Sequence, residues 1–239
     1  MFSPFDLPRP VFLLITDELS SPADFALHQS LITRLKQFKQ SKRVYLSVSE
    51  SWNRLQTLCA KNGVNLSITS SSGNLHFIDV LSQLDSASPS LRALYDQVAG
   101  ILNQGDPDPG SIVIVDDISS LEWTGHSAQD LGRFCRALRA LCLKTQTTLI
   151  IRHHIVDPYE PDTLFRNLKQ MSSYHMEVRP LSSGRSGAVS GEIALHAGPT
   201  ALDSDSSKVQ LLSRQTALQY RLTDNGVVFF ERGSSRGVL

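Results

Sequence analysis

Short, continuously apolar, β-prone runs alternate with stretches of helical periodicity from the N-terminus to Arg152, and this alternation leaves few ways to fold. Val11-Phe12-Leu13-Leu14-Ile15 has no polar face, the pattern of a strand covered on both sides in a parallel sheet. Beyond Ser20-Ser21-Pro22, Phe25, Ala26, Leu27, Leu31, Ile32 and Leu35 recur at helical spacing. Ser21 or Asp24 is placed to cap that helix, and lysines crowd its last turn. Val44 to Val48 then reads as a second strand, which completes a βαβ unit with a right-handed crossover. The alternation continues with a helix from Trp52 to Lys61, a strand at Leu75 to Ile78 and a helix from Leu91 to Asn103. A strand at Ser111 to Asp116, a helix from Ser127 to Lys144 and a strand at Thr147 to Arg152 follow. The predicted class is α/β, a doubly wound, mostly parallel sheet.

The last third changes character. Tyr174–Val178, Glu192–His196, Ala217–Leu222 and Val227–Glu231 read as strands with little helix between them, and Thr223-Asp224-Asn225-Gly226 carries an Asn-Gly hairpin signal. An antiparallel C-terminal extension is therefore predicted. Ser182–Ser190 and Gly198–Ser207 are rich in Ser, Gly and Asp and are expected to be mobile connections. With 239 residues, 41% apolar and 19% charged, residues 1–239 are expected to form one domain. Lys plus Arg and Asp plus Glu both total 23, so no net field draws the chain to nucleic acid or an anionic surface. The apolar runs fall far short of the roughly 20 residues of a transmembrane helix, and Met1–Pro10 does not read as a secretory signal. Cys59, Cys135 and Cys142 lack metal or redox spacing and are expected in the core.

A first strand, a loop opening a helix and a later strand ending in acids form the framework of P-loop ATPases. Their pattern G-x-x-x-x-G-K-[ST] offers backbone N–H groups and an ammonium to the phosphates. Here the stretch is Thr16-Asp17-Glu18-Leu19-Ser20-Ser21-Pro22-Ala23-Asp24, with no glycine and no lysine. Its carboxylates repel a triphosphate and Pro22 removes a donor. A RecA-like domain without a functional Walker A loop follows, with no nucleotide-binding residues and no cofactor. Ile112-Val113-Ile114-Val115-Asp116-Asp117 resembles a Walker B strand, but aspartate at a strand end also caps the next turn, and a structural remnant is expected. His153 and His154 follow a strand and are expected in a loop. No Ser or Cys has a positioned His in the sequence, so no catalytic residue is assigned.

Basic residues cluster in three places. Lys36, Lys39, Lys42 and Arg43 read as a solvated helix end. Arg133, Arg136 and Arg139 step along one helix, either as a solvated face or as an interface. Arg152, Arg179 and Arg185 lie at strand ends or in the Ser/Gly stretch, where RecA-like rings present nucleic-acid-binding loops. With His153 and His154 they are the candidate RNA contacts.

Three segments together resemble one family: Phe12-Leu13-Leu14-Ile15 without a phosphate loop, Ile112–Asp117 continuing as Ile118-Ser119-Ser120-Leu121, and Gln219-Tyr220-Arg221-Leu222 through Phe229-Phe230-Glu231-Arg232-Gly233 to Val238-Leu239. The family is subunit six of the Elongator complex. The resemblance implies a non-catalytic accessory subunit in a hetero-hexameric ring with two homologous RecA-like subunits, Elongator subunits four and five. It further implies association with the catalytic Elongator subcomplex, tRNA binding in support of wobble-uridine modification, a cytoplasmic or also nuclear location, and no membrane. The alternative is a RecA-like paralogue that scaffolds DNA recombination or repair. A nucleotide hydrolase with an unusual loop is a third reading, disfavoured by the loop carboxylates.

Overall fold

The computed structural model describes residues 6–84, 90–181, 183–184, 186–187, 189–201, 209–223 and 226–232. Arg185, the Asp224-Asn225 turn, the tail from Gly233 to Leu239 and residues 202–207 of the second Ser/Gly/Asp-rich stretch lie outside them.

Nine strands lie in one sheet. The parallel part comprises β1 (Phe12–Asp17), β2 (Arg43–Ser47), β3 (Leu75–Asp79), β4 (Ile112–Val115), β5 (Thr148–His154) and β6 (Tyr174–Arg179). β7 (Gly191–Ala197), β8 (Leu218–Thr223) and β9 (Gly226–Phe230) are antiparallel. The order is β3-β2-β4-β5-β1-β6-β7-β8-β9. β5 therefore separates β1 from β4, with Asp17 beside His154 and Ile15 beside Arg152 in the β1–β5 register. This is a RecA-like, doubly wound sheet with an antiparallel extension. The antiparallel part begins one strand later than the sequence predicts, because β6 pairs parallel with β1.

Alternation along the strands divides the core. Phe12 and Leu14 of β1, with Val44, Leu46, Val113, Val115, Leu149 and Ile151, face one side. They pack under α5 (Leu91–Leu102), α6 (Ile118–Trp123), α7 (Ala128–Lys144) and α8 (Thr163–Met171), where α4 (Val80–Leu84) also adds Val80. Leu13 and Ile15, with Tyr45, Ile112, Ile114 and Ile150, face the other side, under α1 (Asp24–Gln37), α2 (Trp52–Lys61) and α3 (Leu66–Ser71). Each fully buried Leu or Ile contributes about 1.5–3 kcal/mol relative to exposure. All three cysteines are buried in these layers, as expected. Burial pushes their thiols up, to about 12 for Cys59 and Cys135 and further still for Cys142, so all three stay protonated and unreactive.

α8 lies in the stretch between Arg152 and Tyr174, where the sequence analysis places no element. Asp162 caps it by accepting from Phe165 N–H, and Leu164, Phe165, Leu168 and Met171 form its buried face. It is the crossover that makes β6 parallel.

The basic cluster after α1 differs from a solvated helix end. Lys36 and Lys39 are exposed, but Lys42 Nζ donates to Ile101 O in the last turn of α5 at 2.7 Å and to Gln104 O just beyond it. Arg43 is completely buried and donates to the carbonyls of Ser41 and Arg34. Neighbouring Arg34 is also buried and donates to Pro109 O, Gly110 O and Thr148 Oγ1. These two guanidiniums fasten α1 and the N-terminal ends of β2, β4 and β5 together.

Candidate functional site

Ligands of open α/β sheets bind beyond the carboxyl ends of the strands, where strand order reverses. At that end β1, β4 and β5 stop in Asp17, in Asp116-Asp117 just past β4, and in Arg152-His153-His154. All six side chains are buried.

Asp17 organises the turn that replaces a phosphate loop. Its Oδ2 accepts from Ala23 N–H at 2.6 Å, just before α1, and its Oδ1 accepts from His154 Nδ1 at 2.5 Å. Arg152 Nη1 lies 3.6 Å from Asp17 Oδ2 and 2.5 Å from Asp24 Oδ1. The remaining donors of Arg152 reach Asp116 O and Ser49 Oγ. Ser21 N–H closes the turn onto Glu18 O at 2.8 Å, and Ser21 Oγ hydrogen-bonds Tyr220 Oη at 2.8 Å, tying the turn to β8.

The two acids after β4 have separate tasks. Asp117 caps α6 by accepting from Ser120 N–H, the role expected from the sequence. Asp116 accepts from the backbone N–H groups of Val48, Ser49 and Glu50 and from Ser47 Oγ, and so holds the loop after β2. Burial pushes the Asp116 carboxyl up to about 6, against the opposing pull of Val48 N–H, Ser47 and Arg152. Burial works to push the His154 imidazole down, but hydrogen bonds to Asp117 and Asp17 outweigh it and hold it at about 9. Both ring nitrogens face carboxylates, with Asp117 Oδ2 3.4 Å from Nε2. His154 is therefore an imidazolium near neutral pH, covered on one face by the Trp123 ring at 5.9 Å.

A second constellation was not visible in the sequence. His153 Nε2 donates to Asp162 Oδ2 at 2.8 Å, which leaves Nδ1 to accept the Ser119 hydroxyl at 2.8 Å. This is a Ser-His-Asp relay in connectivity, and it corrects the expectation that no serine meets a histidine. Ser119 is only 2% exposed, however, and its Oγ also accepts from His154 N–H. Its proton and one lone pair are engaged within the protein, and the relay fastens α6 and α8 to β5. Among the described residues, no group of three His, Cys, Asp or Glu side chains is arranged to hold a metal ion.

The geometry offers no open phosphate cradle on a RecA-like frame, and comparison with known proteins places that frame in a family. The family model described as "Elongation complex protein 6" matches residues 80–224, more than half of the chain. The chain belongs to the Elongator subunit 6 family. Curated relatives carry the name "Elongator complex protein 6". Those of Xenopus laevis and Danio rerio are each 25% identical, over 95% of this chain and 92% of theirs. That of Rattus norvegicus is 22% identical over the same shares.

Within this Elongator subunit 6 family member, the five candidate RNA contacts separate. His153 and His154 are the last residues of β5 and not a loop, and Arg152 precedes them in the same strand. All three are buried with their polar atoms engaged, so in this arrangement they present no surface to RNA. Arg179, at the end of β6, is about one-third exposed and pairs with Glu177 at 2.9 Å. Arg185 lies outside the described residues. In the stripe on α7, Arg133 and Arg136 are exposed and Arg139 is half-buried, with Arg133 paired to Asp130. No described helix is long and apolar enough to cross a membrane.

Proposed function

We propose that this chain is a non-catalytic accessory subunit of Elongator that builds a hetero-hexameric ring with two homologous RecA-like subunits and supports tRNA wobble-uridine modification. Membership in the Elongator subunit 6 family supports the assembly. The observation that carries the non-catalytic reading is the Asp17 turn. In a nucleotide-dependent relative, this position offers backbone N–H groups to phosphate, and here the side chain of Asp17 has taken Ala23 N–H. The approach to that turn carries Asp17, Asp24, Asp116 and Asp117 against Arg152 and His154, a net repulsive set for a triphosphate. The whole chain, residues 1–239, acts as one domain of this assembly in the cytoplasm or also the nucleus, and RNA contact rests on Arg179 and Arg185.

Deleting the chain is expected to deplete modified wobble uridine, read by mass spectrometry of tRNA nucleosides. Two RecA-like partners are expected to copurify with it in equal amounts. Intact wobble modification after deletion, or tight Mg·ATP binding by the isolated chain, rejects this function.

A further inference from the structure

Asp17 does more than discourage nucleotide. The connection from β1 to α1 is short, and donors from two elements converge on one carboxylate within it. Ala23 N–H donates from the start of α1 at 2.6 Å, His154 Nδ1 donates from the end of β5 at 2.5 Å, and Arg152 approaches at 3.6 Å. An N–H at a helix start, a guanidinium and an imidazole converging from two elements are the donor set that proteins aim at an oxyanion. The Asp17 side chain is fully buried within that set.

We propose that the Asp17 carboxylate is a built-in substitute for a bound anion: it fills an oxyanion cradle made by Ala23 N–H, Arg152 and His154, and fixes α1 against β1 and β5 in one ligand-independent arrangement. The inference rests on the non-nucleotide reading above and adds to it. Loss of the phosphate loop removes a switch, and the internal anion keeps the donors satisfied. A subunit fastened this way gives its neighbours a surface that does not change with nucleotide state. An ordinary helix cap requires only an acceptor, so asparagine would serve. A substitute anion requires the charge as well, because Arg152 and His154 must be balanced within a buried site.

The full-length chain is tested by thermal unfolding with small anions. Asp17→Ala removes the carboxylate and leaves space of its size. Its midpoint is expected to fall by roughly 5–10 °C. Formate, which has the geometry of the missing group, is expected to restore at least half of the loss, while chloride at equal ionic strength does not. Asp17→Asn keeps an acceptor in a nearly identical volume and is expected to be destabilised despite it. Formate and inorganic phosphate are expected to leave the wild-type midpoint unchanged. Wild-type stability in Asp17→Asn overturns the proposal, as does a formate effect on Asp17→Ala no larger than that of chloride. If Asp17→Ala does not fold, the Asp17→Asn measurement decides alone. Wobble modification lost on deletion alongside a negative formate result would reject this inference and leave the function above intact.

Discussion

At the N-terminal end of the parallel strands, Arg34 and Arg43 are buried against neutral oxygens; at the C-terminal end, Arg152 is buried against carboxylates. The same side chain serves two physical purposes. In the first region, burial pushes both guanidiniums down, Arg34 to about 10. There the arginine works as a multiple donor that satisfies carbonyls released where strands and helix end. In the second, burial also works against the charge, but Asp24 and Asp17 outweigh it and raise Arg152 above its ordinary value. There the charge is part of the structure. One end is a hydrogen-bonded fastening and the other an ion cluster, at the position where a RecA-like relative keeps its ligand.

The largest expected effect separates those two uses. Arg152→Met removes the cation that faces Asp17 and Asp24, leaving His154 as the remaining cation against the fully buried Asp17 carboxylate. Breaking a buried pair from one side costs about 3–5 kcal/mol, so the thermal midpoint should drop by roughly 10 °C. Urea denaturation of the full chain checks this. The double variant Asp17→Asn/Arg152→Met should recover part of the loss, since it deletes the stranded charge together with its partner. A double variant no better than Arg152→Met would show that packing, and not charge, holds this end.

The second contrast is in pH. His154 is held at about 9 in the fold, against about 6.5 in an unfolded chain. Its contribution is fully present below about 6.5 and is lost as pH rises through about 9, to a limit of roughly 3 kcal/mol. Asp117 is shifted the other way; burial opposes the shift but the His154 hydrogen bond prevails, so its contribution is present above about 3.8 and lost as pH falls below that. Thermal midpoints should therefore decline on the alkaline side between about pH 7 and 9.5. In His154→Gln the same range should be nearly flat, from a lower starting stability. An alkaline decline of equal size in His154→Gln would remove the imidazolium from the explanation.

Arg43→Met tests the other end and should cost less, about 1–3 kcal/mol, because it strands neutral carbonyls and no charge. Its loss should be independent of pH between about 5 and 9, measured by the same unfolding series. Equal losses for Arg43→Met and Arg152→Met would erase the distinction between the two ends.

Neither cluster is legible in the sequence, and the reason is physical. Continuous runs such as Val11–Ile15 and Ile112–Val115 announce buried parallel strands, because such strands have no solvent face. The three cysteines and the Asp117 cap are equally local signals. Arg152, by contrast, becomes buried only through partners far along the chain, Asp24 lying 128 positions away, and Arg43 through a chain reversal that brings it back onto the end of α1. His153 and His154 extend β5 past its apolar run, so the strand's polar end reads as a loop until Asp162, Asp17 and Asp117 are placed around it. α8 did carry a signal, with Asp162 as cap and Leu164, Phe165, Leu168 and Met171 on one helical face. The Ser119-His153-Asp162 relay carried none, since its three members come from three elements.

The smallest expected effect lies between the two ends, at the junction of the parallel and antiparallel parts. Glu177 on β6 accepts two parallel hydrogen bonds from Arg214, both 2.8 Å, and also meets Arg179 at 2.9 Å and His196 at 3.5 Å. Burial opposes its ionisation, but hydrogen bonds from His196 and Arg214 and the charges of Arg179 and Arg214 hold the carboxyl well below the usual range. Arg214 is nevertheless 63% exposed, so water and salt screen its share of the pairing. Arg214→Ala should cost less than about 1 kcal/mol, and that small loss should shrink further in high salt, as midpoints at two ionic strengths would reveal. Arg179 and His196 remain to face Glu177 in the variant, whereas Arg152→Met removes the guanidinium shared by Asp17 and Asp24. A loss at Arg214 comparable with that at Arg152 would mean that partner number and burial do not set the cost of removing a cation in this sheet.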